Sequence, residues 1–365
     1  MDKVAGRLRR RVDLVLHIGS GKTGTTSLQF LLGTNRAVLA RHGWLYPVAP
    51  SNNRHRHSHF GTFVQPDERL VRAAGHQQGR PVSPTAYRND LTTRLHAEIR
   101  EAGLPGLILS DEALYGSSAE AIERLRDFTD RTAASVRLVV YLRRQDDHLV
   151  SRYQQVVRMG ETRRLLQRTR EVDFSDPYDY HARLSTWRRI LAPTDFVVRR
   201  FEPDRFVRGS LYEDFVDAAG LGVGPDELRP VTVQNESLDA ESVEFLRLLN
   251  LHRVENEGAT DGMINNRQHV LRLARYSTGP VLSLPEAVLE DFMATWAESN
   301  AAVARDFLGD GTGELFAAPR RVQDVTTEQV LDPDRLDHFV DLLDLPERVR
   351  APLRRIAERE ASAFP

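Results

Sequence analysis

Apolar and polar positions alternate in blocks along the first two thirds of the chain. "VDLVLHIG" (Val12 to Gly19) is a short apolar run ending at a glycine turn, which predicts a buried strand. Leu28, Leu31, Leu32, Val38 and Leu39 then recur at helical spacing, predicting a helix over Thr25 to His42, with Gly43 placed to stop it. "WLYP" reads as a second short strand. A helix near Tyr87 to Ala102 leads into the strand "GLILS" (Gly106 to Ser110). Ser117 or Ser118 can cap the following helix. "VRLVVYLR" (Val136 to Arg143) is the strongest strand in the chain. Helices through Gln154 to Met159 and near Tyr178 to Leu191 precede the strand "DFVVRRF" (Asp195 to Phe201).

Strands alternating with helices imply an α/β fold with a central parallel β-sheet flanked by helices. Beyond about Ser237 the pattern turns helical. "SLDAESVEFLRLLN" is one amphipathic segment; a second opens on a Ser283–Glu286 capping box, and Thr326 to Ala361 reads as two or three short helices. The expected organisation is one domain over 12–320 and a helical C-terminal extension over 321–365. Residues 49–84 are polar, rich in His, Arg, Pro and Gly and poor in periodicity, which predicts a long loop or lid on the substrate side.

Composition narrows the function classes. Of 365 residues, 41% are hydrophobic and 28% charged, as in a globular chain that buries a core. A net charge of −2 gives no global pull toward nucleic acid or an anionic membrane. With no cysteine, disulfides, thiolate metal sites and a cysteine nucleophile are excluded. The apolar run after the basic start is short and broken by Asp13 and His17, so neither a signal peptide nor a membrane span is expected, and a cytoplasmic enzyme is the default. Lys3 and Lys22 are the only lysines against 50 basic residues in all. A lysine kept inside a glycine-threonine loop suggests a role for a compact ammonium that a planar guanidinium does not fill.

That loop is "HIGSGKTGTTSLQ" (His17 to Gln29). A triphosphate loop reading G-x-x-x-x-G-K-[ST] requires glycine at position 16, where Leu16 stands, and lysine after Gly24, where Thr25 stands. The strict pattern fails in both registers. Phosphate binding still suits the strand-to-helix context: amides at a helix start favour an anion, Gly24 permits close backbone approach, and Thr25, Thr26 and Ser27 add hydroxyl donors.

The stretch resembles the 5′-phosphosulfate loop of sulfotransferases that use 3′-phosphoadenosine 5′-phosphosulfate (PAPS), in the form common to bacterial and carbohydrate sulfotransferases. "VVYLRRQDDHLVSRYQQ" adds Arg143 at a strand end and Ser151 eight residues on, the arrangement with which that superfamily reads the 3′-phosphate. Arg144 is the adjacent spare. "VVRRFEPDRFVRG" resembles its later strand, where an aromatic–Glu pair frames the adenine, making Phe201 the candidate there or else a core residue. The similarity runs from about Val12 to Asn250 and implies a P-loop-like sulfotransferase fold, with PAPS as donor and no metal. It puts Lys22 on the bridging or 5′-phosphate oxygen as a catalytic group, and Thr23, Gly24, Thr25, Thr26 and Ser27 around the phosphosulfate. The implied partner is a small-molecule or glycan acceptor bearing a hydroxyl. A small-molecule kinase or a non-catalytic nucleotide-binding relative are the competing readings.

The base that accepts the acceptor's proton has three candidates. Glu112, directly after "GLILSD", is preferred, since a strand-end carboxylate that is partly desolvated is a competent base. Asp111 is next, and His59 of "RHRHSHFG" is the rival. His55, His57 and His59 also suggest metal, but no carboxylate lies close by in sequence, so no metal is expected. His17 reads as a core or loop-shaping residue.

Overall fold

The computed structural model describes residues 10–51, 53–79, 81–231, 237–260, 264–318, 320 and 324–363. Lys3 and most of the basic start lie outside these residues. The chain divides into two compact units, each built from separated stretches: residues 1–143, 175–233 and 297–318 form the first, and 144–174, 234–296 and 319–365 the second.

The first unit is an α/β structure with a central parallel sheet. Its strands are β1 (Val12–His17), β2 (Trp44–Leu45), β3 (Gly106–Ser110), β4 (Ala133–Leu142) and β5 (Asp195–Arg200). They lie in the order β2-β3-β1-β4-β5 with every neighbouring pair parallel. β3 is buried along its whole length, which is why it reads as an unbroken apolar run. On one face Val15, Ile108, Val139 and Tyr141 pack against Leu28, Leu32 and Leu39 and against Phe215 and Ala218 of the helix Leu211–Ala219. Leu14 and Leu16, pointing the other way along β1, are equally buried.

The expected helix over Thr25 to His42 is two helices, Thr25–Thr34 and Arg36–Arg41. Asn35 breaks it: its side-chain amide donates to the Leu31 carbonyl at 2.9 Å, the acceptor its own backbone N–H also uses. Residues 49–84, expected as a loop, hold the helices Ser58–Val64 and Asp67–Gln78. The first is buried on consecutive residues from Phe60 to Val64, with Phe60 and Phe63 edge-on to Phe128. A helix covered on most sides has no polar face and so no period to detect.

The second unit is mainly helical, with helices over Gln145–Arg158, Ala240–Glu257, Arg267–Leu273, Glu286–Thr295 and Glu347–Ser362 and a two-stranded parallel pair, Val281–Leu282 with Val325–Thr326. Arg247, fully buried, is held by Glu244 at 2.6 Å and Glu360 at 2.9 Å. The Ser283–Glu286 capping box does not form. Pro285 takes the cap position, and Ser283 Oγ accepts instead from Arg320 at 2.9 Å. Among the described residues no helix is long and apolar enough to cross a membrane.

Candidate active site

The topology selects one edge of the sheet. From β1 the chain runs to β2 and β3 on one side and to β4 and β5 on the other, so the crevice beyond the carboxyl end of β1 is flanked by the ends of β3 and β4. His17, Ser110, Arg143 and Phe201 stand at or next to these strand ends, and the glycine-threonine loop begins there.

Left-handed backbone shapes the loop: φ is 73° at Gly21, 48° at Lys22 and 72° at Gly24. Lys22 pays a steric cost that glycine would not, and such strain collects where a backbone must present its amides to a ligand. A Cβ on Gly24 would run into Leu211 and reach Phe201 at 3.5 Å, so close packing forbids a side chain there as well. The helix Thr25–Thr34 opens without a side-chain cap and without an acidic residue in its first turn, leaving its leading amides for an anion.

Thr23 and Thr25 are buried to 0% and 2% exposure, and the Oγ1 of each has no hydrogen-bond partner among the described residues. Buried hydroxyls left unmatched cost free energy, and two of them in an uncapped loop fit a phosphate or sulfate group. Thr26 and Ser27 are half-buried beside them, while the Lys22 side chain is exposed. Ser20 Oγ donates to the Tyr141 carbonyl at 2.7 Å and ties the loop to β4.

Arg143 joins this group. Its Nη1 donates to the Lys22 carbonyl at 3.1 Å, its guanidinium stands 5.9 Å from the centroid of the Phe201 ring, and its own carbonyl accepts from Tyr180 at 2.6 Å. Lys22, Gly24, Arg143 and Phe201 are thus one cluster, although the sequence separates them widely. Ser151 lies half-buried on the helix Gln145–Arg158 in the second unit, and Arg144, half-buried at the cap position before that helix, pairs with Asp146 at 3.0 Å.

The base candidates stand in different surroundings. Asp111 is buried, and both its oxygens take backbone amides: Oδ2 accepts from Gly61 at 2.9 Å and Oδ1 from Ala113 at 3.0 Å. Burial pushes its carboxyl up to about 7 in spite of those donors. A Cβ on Gly61 would strike the Asp111 carboxylate, so only glycine permits this contact. Glu112 is half-buried, and its Oε1 faces Arg56 at 3.4 Å. His59 is half-buried, its Nδ1 3.1 Å from the Tyr87 hydroxyl.

The three alternating histidines take three different partners. His55 stacks on Phe30 at 4.5 Å. His57 is fully buried, stacked on Tyr46 at 4.1 Å; its Nδ1 accepts from the Ser110 amide at 3.2 Å, so its Nε2 carries the proton and donates to Pro47 at 2.9 Å. Burial drives it down to about 3, so it is neutral across the physiological range. No group of three or more His, Asp or Glu side chains able to hold a metal occurs among the described residues.

His17 is also fully buried and held to about 3, with Nδ1 sharing a 2.8 Å hydrogen bond with Ser110 Oγ. Sequence reading passed over Ser110 and Gln29, which meet here, as it did Gly61. Gln29 stands inside the quoted loop, but nothing local marks it as reaching β3.

Comparison with known proteins adds little to this geometry. No family model matches the chain. An uncharacterized protein of Archaeoglobus fulgidus is 27% identical over 251 residues, 66% of this chain, and the chain spans 66% of that protein's length. The crystal structure of a sulfotransferase from Alicyclobacillus acidocaldarius matches 67% of this chain and 95% of its own at 20% identity, with a TM-score of 0.37.

Proposed function

We propose that the chain is a sulfotransferase that moves the sulfuryl group of PAPS to a hydroxyl of a carbohydrate, lipid or secondary metabolite. One observation carries the reading: the strained loop around Lys22, with its two unmatched buried threonine hydroxyls, meets Arg143 and Phe201 at the carboxyl end of a parallel sheet. That donor set suits an anionic nucleotide, and the resemblance of "HIGSGKTGTTSLQ" to a phosphosulfate loop gives the nucleotide its identity.

PAPS, when bound, supplies an activated sulfuryl group on a phosphate leaving group. The loop amides and the Thr23, Thr25, Thr26 and Ser27 hydroxyls hold the phosphosulfate in place for in-line transfer. Lys22 neutralises the charge that develops on the phosphate oxygen as its bond to sulfur breaks and the bond from sulfur to the acceptor oxygen forms. Arg143 reads the 3′-phosphate with a planar fork of donors, and Phe201 packs against the adenine. Glu112 takes the acceptor's proton. It is favoured over Asp111 because both Asp111 oxygens already accept backbone amides, and over His59, whose Nδ1 is engaged with Tyr87. PAP, the 3′,5′-bisphosphate, is the product released.

Calorimetry with adenosine 3′,5′-bisphosphate against ATP tests the reading. The bisphosphate is expected to bind the more tightly, and a preference for ATP sinks it in favour of a kinase.

A further inference from the structure

The stretch His17 to Gln29 begins and ends on the same residue. Ser110, at the carboxyl end of β3, shares a 2.8 Å hydrogen bond through Oγ with Nδ1 of His17, the last residue before the loop. Its carbonyl accepts from Nε2 of Gln29 at 2.9 Å, and the same amide stands 3.4 Å from Oγ. Gln29 lies in the helix Thr25–Thr34 just after the loop. His17 and Ser110 have no exposed surface and Gln29 has 2%, so water does not compete for these bonds.

A loop that keeps Lys22 in a left-handed conformation without a ligand needs its ends held apart at a fixed span. One residue of β3 provides both anchors, its hydroxyl holding His17 and its carbonyl Gln29. The register agrees, since Ser110 is the direct neighbour of His17 in the β1–β3 ladder. Its amide is spent on His57, so Ser110 uses its hydroxyl, carbonyl and amide on three separate partners.

We propose that Ser110 is a positioning residue that holds the phosphate loop open for the 5′-phosphate end of its nucleotide, acting through His17 and Gln29. This rests on the function proposed above. Ser110 touches no ligand on this account; it fixes the frame in which the amides of 21–27 converge, and its loss weakens the grip on the 5′-phosphate while the grip on the nucleoside and 3′-phosphate is kept.

The test is a ratio. Affinities of the full chain for adenosine 3′,5′-bisphosphate and adenosine 3′-monophosphate are measured by calorimetry, and their quotient reports the contribution of the 5′-phosphate. Ser110→Ala removes the hydroxyl and leaves the backbone contacts, and the quotient is expected to fall about tenfold, the worth of one buried hydrogen bond. General damage to the fold lowers both affinities together and leaves the quotient unchanged, which overturns the proposal. If Ser110→Ala does not fold, His17 carries the test. His17→Asn keeps a polar atom near the place of Nδ1 and should retain the quotient, whereas His17→Gln puts it near the place of Nε2 and should lower it; equal quotients in the two variants overturn the proposal. A wild-type quotient near one overturns the function and this inference together, whereas a large wild-type quotient that survives Ser110→Ala overturns the inference alone.

Discussion

Arg143 donates from Nη1 to the carbonyl oxygen of Lys22 at 3.1 Å, joining the end of β4 to the most strained residue of the glycine-threonine loop. The contact is to the loop backbone, so the Arg143 side chain and the Lys22 peptide are held together. A guanidinium carries five donors in a planar fork, a geometry that matches the oxygens of a phosphate.

Arg143→Ala is expected to weaken adenosine 3′,5′-bisphosphate by about 10- to 100-fold, the scale of a charge-assisted contact to phosphate. Adenosine 5′-monophosphate, lacking the 3′-phosphate, should lose much less. Calorimetry with both ligands separates the outcomes, and equal losses mean that Arg143 supports the loop and does not read the 3′-phosphate.

Lys22→Ala should lower turnover on the order of 10²–10³, as for one well-placed donor to developing charge. Release of labelled sulfate from PAPS, with water as acceptor, gives a rate that needs no knowledge of the natural acceptor. An unchanged rate removes Lys22 from the chemistry.

The parallel sheet was legible because β3, the stretch Leu138–Leu142 of β4 and all of β1 except Asp13 are buried and so read as apolar runs. The loop was legible for a different reason: glycine, lysine and hydroxyl residues crowd into a few consecutive positions. What escaped depends on contacts between distant positions. The sequence carries no sign that Gln29 reaches Ser110, 81 residues on, or that Gly61 is glycine because Asp111 lies against it. The helix Ser58–Val64 was hidden by its own burial, and the break at Asn35 by a side chain whose competing bond is invisible to periodicity.

Gly24 and Gly103 give a matched pair. Both have positive φ, 72° and 61°, but a Cβ on Gly103 meets nothing within 4 Å, whereas one on Gly24 meets Leu211 and Phe201. Gly103→Ala should cost about 1 kcal/mol of stability and leave bisphosphate binding untouched. Gly24→Ala should lose more stability and the binding with it, measured by urea unfolding and calorimetry on both variants. Normal binding by Gly24→Ala would place the ligand elsewhere.

Asp111 makes stability depend on pH. Its carboxyl is raised from 3.8 to about 7 by burial, so between these values the folded chain keeps a proton that the unfolded chain releases. Its contribution is therefore fully present below about 4, falls as pH rises, and is lost above about 7, by at most about 1.4 kcal/mol per pH unit. Glu112 raises the value further, while the amides of Ala113 and Gly61 and the charge of Arg56 oppose it without cancelling the effect of burial. Asp111→Asn has no proton to release, so the difference in unfolding free energy between wild type and variant should shrink steadily from pH 4.5 to pH 7.5 in favour of the variant. Urea unfolding at four pH values across that range measures it. A difference that stays flat means that Asp111 is already ionised in the folded chain at pH 4.5, held there by its two backbone donors in spite of its burial.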